Sequence, residues 1–279
     1  MSAGASARRD RTPRRYRIES RPVTVPPPRA ALPLGDARAL LFDLDGVITP
    51  TAEVHMRAWS RLFTAVLSEF PAVEPYTDAD YFLHVDGKPR YDGVRDLLAS
   101  RGLSLPDGEP SDPVTVDTVC GLGNRKNEAF NAELAERGVE PFPGSVAFLE
   151  RAEAAGLAVA VVSSSRNAVP VLAAAGLLER FPVIVDGLVA AERGLPGKPA
   201  PDTFLDAAAQ LGVDPEHAVV LEDAHSGVRA GRDGGFGLVI GVDRGADADA
   251  LAAAGADVVV PDLDQLIDAL PASDPEDRA

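Results

Sequence analysis

Six short apolar runs set the limits on what this chain can fold into: ALLF (39–42), LAVAVVS (157–163), PVIVD (182–186), AVVLE (218–222), LVIGV (238–242) and DVVV (257–260). They are rich in Val and Ile and do not alternate with polar residues, which predicts strands buried on both faces. Helical stretches such as NAVPVLAAAGLLERF (167–181) and PDTFLDAAAQLG (201–212) lie between them. Pro170 fits only the first turn of its helix, where its missing N–H costs nothing, and Gly176 and Gly212 mark helix stops. Strands alternating with helices predict an α/β fold, a Rossmann-like parallel sheet with right-handed crossovers and helices on both faces.

The rhythm breaks between residues 53 and 140, where no such run occurs. Glu53–Phe70 places Trp59, Leu62, Phe63, Val66, Leu67 and Phe70 at helical spacing. VRDLLASRG (94–102) and RKNEAFNAELAERG (125–138) predict further helices, and LPDGEPSDP (105–113) a loop. The organisation is therefore a core of residues 37–52 and 141–270 with a helical insertion at 53–140. Residues 1–36 stand apart: the first thirty carry eight Arg against one Asp and one Glu and end in a Pro run, without the apolar segment of a secretory leader. They read as a disordered basic arm.

The net charge of −16 argues against nucleic acid or an anionic membrane as partner. No apolar run is long enough to span a bilayer. One cysteine, Cys120, excludes an intrachain disulfide and fits a reducing, cytoplasmic setting; its expected place is a small buried apolar position. The length permits a monomer.

Ligands of such sheets bind beyond the carboxyl ends of the strands, so the residues that follow each run matter most. Asp43 and Asp45 follow the first, Ser163, Ser164, Ser165, Arg166 and Asn167 the second, and Glu222 and Asp223 the fourth; Lys198 precedes a helix in GKPAPDTF. Carboxylates, hydroxyls and one Lys on one edge suit phosphoryl transfer through a carboxylate nucleophile. Asp43 is positioned to attack phosphorus and form an aspartyl phosphate. Several carboxylates near a phosphate dianion require a cation, and Mg²⁺ prefers such oxygen ligands; the candidates are Asp43, Asp45 (through its carbonyl), Glu222 and Asp223. Ser163 and the N–H groups of the following helix start would hold phosphate oxygens. Lys198 would neutralise charge, and Asp45 would act as acid and base. Each motif alone is more often a turn, a cap or a solvated loop; their order, each beside a strand or helix end, makes that collective reading improbable.

With these motifs in order, residues 38–265 resemble the haloacid dehalogenase superfamily of phosphotransferases. DLDGV, VVSSS, GKPAPD and LEDAHSGVRAG stand at its four motifs. The resemblance implies a Rossmann-like core with a mobile cap, here the helical insertion. Within the superfamily the chain is similar to the β-phosphoglucomutase-like subfamily, which implies a sugar phosphate substrate, β-glucose 1-phosphate passing to glucose 6-phosphate through a 1,6-bisphosphate. FDLDGVITPTAEVHMRAW then implies that His55 helps Asp45 engage and that Trp59 lines the substrate. VDGKPR offers Gly87 and Arg90 to the distal phosphate, RKN offers Lys126, and SSSRN offers Ser164, Ser165, Arg166 and Asn167. Arg125 and Lys126 at a helix start oppose the dipole, which also favours an anionic partner. Two departures stand out. Pro50 replaces an Asp common in relatives and fixes φ at the junction with the cap, and SLPDGEPSDPVTVDTVCGLG (104–123) is longer than its counterpart.

A sugar phosphate mutase is the reading these features favour, because Arg90 and Lys126 give a second phosphate a place to sit. A sugar-phosphate phosphatase is the alternative, and a non-catalytic phosphometabolite-binding module a third.

Overall fold

A computed structural model describes residues 33–244 and 248–271. All six apolar runs lie in strands: β1 (Ala39–Phe42), β2 (Ala158–Val162), β3 (Val183–Val185), β4 (Ala218–Glu222), β5 (Leu238–Val242) and β6 (Val258–Val260). They form one parallel sheet in the order β3-β2-β1-β4-β5-β6. The order reverses at β1, which pairs with both β2 and β4, and such switch points open a crevice at the strand ends. Phe42 is level with Val161 and Leu221, so the residues that follow β1, β2 and β4 emerge side by side.

Both sheet faces are covered, which explains the unbroken apolar runs. Leu40, Phe42, Val159, Val161, Val219 and Leu221 pack on Phe148, Leu149 and Leu172 of α5 (Pro143–Ala154) and α6 (Ala168–Ala174). Ala39, Leu41, Ala160, Val162 and Val220 pack on Phe204, Val228 and Leu251 of α8 (Asp202–Leu211), α9 (His225–Asp233) and α10 (Ala248–Ala254). The helix expected over 167–181 ends at Ala174, turns at Gly176 (φ +70°) and resumes as one 3₁₀ turn, Leu178–Arg180. Helix α8 stops at Gly212 in the left-handed conformation.

The insertion between β1 and β2 is helical: α1 (Thr51–Ser68), α2 (Asp78–Asp80) continuing as a π turn over Tyr81–Val85, α3 (Arg90–Ser100) and α4 (Val119–Arg137). It has its own core, in which Trp59, Phe63 and Leu67 of α1 meet Val94, Leu97 and Leu98 of α3 and Leu122 of α4. Trp59 and Phe63 stack at 5.3 Å. Helix α4 starts at Val119 rather than near Arg125, so the dipole argument for Arg125 and Lys126 falls. Thr118 caps it, accepting from the Gly121 N–H at 3.0 Å. Gly121 and Gly123 weaken the helical signal, but a Cβ at either would lie 2.2 Å from the Val116 carbonyl or 2.8 Å from the Tyr91 ring. Cys120 is buried.

Leu34 is buried in the core beneath a 3₁₀ turn, Leu34–Asp36, so the fold begins before the expected boundary at residue 37. The Arg-rich stretch lies outside the described residues. Among the described residues no helix is long and apolar enough to cross a membrane.

Candidate active site

Asp43 leaves β1 with its N–H bonded to the Leu221 carbonyl at 2.9 Å, which fixes it beside Glu222 at the end of β4. Lys198, 2% exposed, reaches both: its Nζ donates to Asp43 Oδ1 at 2.5 Å, Glu222 Oε1 at 2.6 Å and the Val162 carbonyl at 2.9 Å. Burial works against the ammonium, but Asp43 and Glu222 outweigh it and raise its pKa above the ordinary lysine value. Glu222 Oε2 accepts the Ala224 N–H at 2.8 Å. Both Glu222 oxygens are thus engaged within the protein, and Glu222 holds Lys198.

Asp45 is gripped from several sides. Thr51 Oγ1 donates to its Oδ1 at 2.5 Å, Ser163 Oγ to its Oδ2 at 3.4 Å, and His55 Nε2 stands 3.4 Å from Oδ1. Thr49 backs Thr51 at 2.7 Å. Burial alone would raise Asp45, but the His55 ring and the Thr51 hydroxyl dominate and hold it at about 2. It is ionised and ready to accept a proton.

Lys126 Nζ lies 2.5 Å from His55 Nδ1, between the rings of Trp59 (4.9 Å) and Phe130 (5.0 Å). With Nδ1 accepting, the ring hydrogen sits on Nε2, the nitrogen that faces Asp45 Oδ1 at 3.4 Å. Burial, then the Arg90 charge, pushes Lys126 well below the usual lysine value. Burial likewise pulls Arg90 down to about 10. Two desolvated basic side chains therefore line the cleft together with Asp43. Arg90 Nη2 donates to Asn127 Oδ1 at 2.8 Å, and that same oxygen accepts Asn167 Nδ2 at 2.7 Å.

The cleft is lined by Asp43, Asp45, His55, Trp59, Gly87, Arg90, Lys126, Ser163, Ser164, Ser165 and Asp223, among others. The expected residues thus converge, with Arg166 and Asn167 on its flank. Ser164 Oγ donates to the Gly87 carbonyl at 2.7 Å and Ser226 Oγ to the Asp86 carbonyl at 3.1 Å, seating the insertion on the core. Gly87 (φ +65°) permits this approach, since a Cβ would lie 2.2 Å from Ser226 Oγ. The N–H groups of Ser165 and Asn167 donate to Ser163 Oγ (3.0 Å) and Ser165 Oγ (3.2 Å) within the serine loop. The serine loop caps itself before α6 begins.

Sequence reasoning missed Tyr81 and Asp86. Asp86 sits in the quoted VDGKPR, and its carboxylate accepts the Tyr81 hydroxyl. Burial, reinforced by Glu222, raises Asp86 to about 7 in spite of that bond. Asn127, beside Lys126 in RKN, was also passed over.

The donor set suits a hard cation. Burial, with repulsion from neighbouring carboxylates, raises both Asp43 and Asp223 well above the usual range. The Asp223 carboxylate lies against Gly46 (φ +100°), where a Cβ would come within 1.9 Å of its Oδ2. Among the described residues no three His, Cys, Asp or Glu side chains converge as a metal-holding group. Two carboxylates, with carbonyl, water and phosphate oxygens completing the shell, is the arrangement Mg²⁺ accepts.

A model of the haloacid dehalogenase-like hydrolase family matches residues 37–235. The chain belongs to this family. The haloacid dehalogenase-like fold accounts for the six-stranded sheet and the clustering of acids at its switch point, and the protein is an enzyme of the phosphotransferase or phosphatase type. A β-phosphoglucomutase of Mycobacterium bovis is 50% identical over 241 residues, 82% of this chain and 91% of that one. A Mycobacterium tuberculosis protein described as an uncharacterised glycosyl hydrolase is 42% identical over 246 residues, 86% of this chain but 18% of its own length. The crystal structure of β-phosphoglucomutase from Clostridium difficile superposes with a TM-score of 0.67 at 25% identity, covering 82% of this chain and 93% of that one.

Proposed function

We propose that this enzyme is a sugar phosphate mutase that converts β-glucose 1-phosphate to glucose 6-phosphate through the 1,6-bisphosphate. The observation that carries the reading is the pair of buried basic side chains, Arg90 and Lys126, that line the same cleft as Asp43. They offer a second phosphate a place to sit while the first is transferred, which a monophosphate hydrolase does not need. The relatives named β-phosphoglucomutase support the same substrate class.

Asp43 is the nucleophile. Lys198 keeps its carboxylate oriented and spreads positive charge toward the phosphoryl oxygens as the aspartyl phosphate forms. Asp45, ionised, takes the proton of the attacking sugar hydroxyl and returns it to the leaving oxygen in the opposite half-reaction. Thr51 and His55 hold it in reach. Mg²⁺, held by Asp43, Asp223 and the Asp45 carbonyl, would neutralise phosphoryl charge. The insertion, residues 53–140, acts as the cap: its closure excludes water so that the sugar, not water, receives the phosphoryl group. The working unit proposed is a cytoplasmic monomer, since one chain carries both walls of the cleft.

The second reading is a sugar-phosphate phosphatase, favoured by the hydrolase description of the family model. Incubation with Mg²⁺, β-glucose 1-phosphate and a trace of glucose 1,6-bisphosphate separates the two. Glucose 6-phosphate accumulating without inorganic phosphate supports the mutase; phosphate outpacing isomerisation sinks it.

A further inference from the structure

The chain leaves the sheet for the insertion through Gly46, Val47 and Ile48, and all three carbonyls are taken by donors from elsewhere in the core. Arg244 Nε donates to the Gly46 carbonyl at 3.0 Å, Ser145 Oγ to that of Val47 at 2.6 Å, and the Phe142 N–H to that of Ile48 at 2.9 Å. These three residues are buried, and buried carbonyls need such partners. Phe142 and Ser145 lie where the chain returns from the insertion and enters α5. The outgoing and returning crossovers are therefore tied to each other.

Arg244 belongs to neither crossover, yet it touches both. It stands just beyond the end of β5, and its guanidinium carbon lies 3.9 Å from the centre of the Phe142 ring, well within cation–π range. Its other nitrogens are fastened to the far edge of the sheet: Nη1 donates to the Pro261 carbonyl at 2.7 Å, and Nη1 and Nη2 donate to Asp262 Oδ2 at 3.3 and 3.2 Å. Asp262 in turn presses on the returning crossover, since a Cβ at Gly144 would lie 1.8 Å from its Oδ1. An arginine placed only to pair with Asp262 would need neither Gly46 nor Phe142. Gly46 directly follows Asp45, the proposed acid and base, and its own N–H closes the turn on the Thr49 carbonyl at 2.7 Å. Holding the Gly46 carbonyl thus holds the turn that carries Asp45.

We propose that Arg244 is a positioning residue: it clasps both crossovers to the sheet, so that the Asp45 turn keeps its place while the insertion moves beyond it. The kinetic consequence rests on the mutase reading above. Transfer to the sugar needs the hydroxyl, Asp45 and phosphorus aligned at once, whereas water reaches phosphorus from more directions. With the turn loosened, a water oxygen bonds to phosphorus more often as the Asp43–phosphoryl bond breaks, and its proton passes to solvent or Asp45.

The test uses the full chain with Mg²⁺. Hydrogen exchange needs no substrate and reads the clasp itself. Arg244→Met speeds exchange of the Gly46, Ile48 and Thr49 amides, all bonded within this turn, by about tenfold or more and leaves β4 within about twofold. With β-glucose 1-phosphate and a trace of glucose 1,6-bisphosphate, the same variant raises inorganic phosphate released per glucose 6-phosphate formed by about fivefold or more. That ratio does not depend on how much of the protein is folded. Ser145→Ala, which frees the Val47 carbonyl, moves both readouts the same way. Arg193→Met, which removes an exposed ion pair with Asp206 (2.7 Å) at the end of α7 (Gly187–Arg193), leaves both within about twofold. Exchange that rises equally in β4, or a product ratio that Arg244→Met leaves within twofold, overturns the proposal. If the unaltered chain forms no glucose 6-phosphate, the mutase reading fails on its own, and the exchange pattern alone decides the clasp.

Discussion

The two walls of the cleft are built to different standards of rigidity. On the sheet side Lys198 is pinned by three acceptors, two of them charged, and Glu222 is closed off by a backbone N–H. On the insertion side Lys126 meets His55, and Arg90 meets the Asn127 amide oxygen and the Tyr91 side chain, neutral partners in place of carboxylates. Side-chain hydrogen bonds join the walls from Ser164 to Gly87, Ser226 to Asp86 and Asn167 to Asn127, each worth about 0.5–1.5 kcal/mol net, and Val54, Ala58, Ala129 and Phe130 of the insertion pack into the apolar cluster of the core. The polar contacts of the insertion wall can be exchanged for water or ligand one at a time, whereas the buried triad of Asp43, Lys198 and Glu222 cannot rearrange without leaving a charge unpaired. Under the proposed function, the chemistry then belongs to the sheet edge and the choice and enclosure of substrate to the insertion.

Substitutions on either side test that division. The largest effect belongs to Asp43→Asn: turnover of β-glucose 1-phosphate falls about 10⁴-fold or more, and phosphorylated protein disappears from intact-mass spectra. Retention of even a hundredth of the activity would remove Asp43 from the role of nucleophile. Lys198→Met leaves two buried carboxylates facing each other and costs about 3–5 kcal/mol in a denaturant melt; a loss below 1 kcal/mol would mean the triad is not the rigid element. Arg90→Ala acts on the other wall. It lowers glucose 6-phosphate formation about 10–100-fold, the worth of a hydrogen bond to a charged group, while phosphate release holds or rises. Equal loss of both products would place Arg90 with the chemistry.

The smallest effect is a pH dependence. Asp86 is raised to about 7 by burial, above its ordinary carboxylate value. Its contribution to stability is therefore fully present below about pH 4 and is lost as pH rises toward 7, with a slope of at most about 1.4 kcal/mol per pH unit. With EDTA present, Asp86→Asn flattens that decline in melting temperature between pH 4 and 7. An unchanged profile would show that another carboxyl, Asp223 or Asp43, controls it.

The sheet was readable because strands covered on both faces need an uninterrupted, Val- and Ile-rich apolar run. The acids at the switch point were readable because β1 and β4 end abruptly in charge. Other features depend on contacts that a linear pattern does not carry. Glu222 and Asp223 look alike as neighbours, and only the approach of Lys198 tells the clamp from the open carboxylate. The start of α4 was hidden by Gly121 and Gly123, which serve close packing against Val116 and Tyr91 at the expense of helix propensity. The π turn over Tyr81–Val85, which presents Asp86, carries neither a strand nor an α-helical period. The pairing of Asn127 with both Arg90 and Asn167 joins residues far apart in the chain.

Trp59 is the sole tryptophan of the chain and lines the cleft with the Lys126 ammonium 4.9 Å from its ring. An indole's emission responds to a cation held against its face. A phosphate that draws Lys126 away, or a lift of the insertion that wets the ring, therefore changes the intrinsic fluorescence of the unlabelled protein. Stopped-flow mixing at tryptophan wavelengths can time substrate arrival and cap movement separately from the chemistry on Asp43.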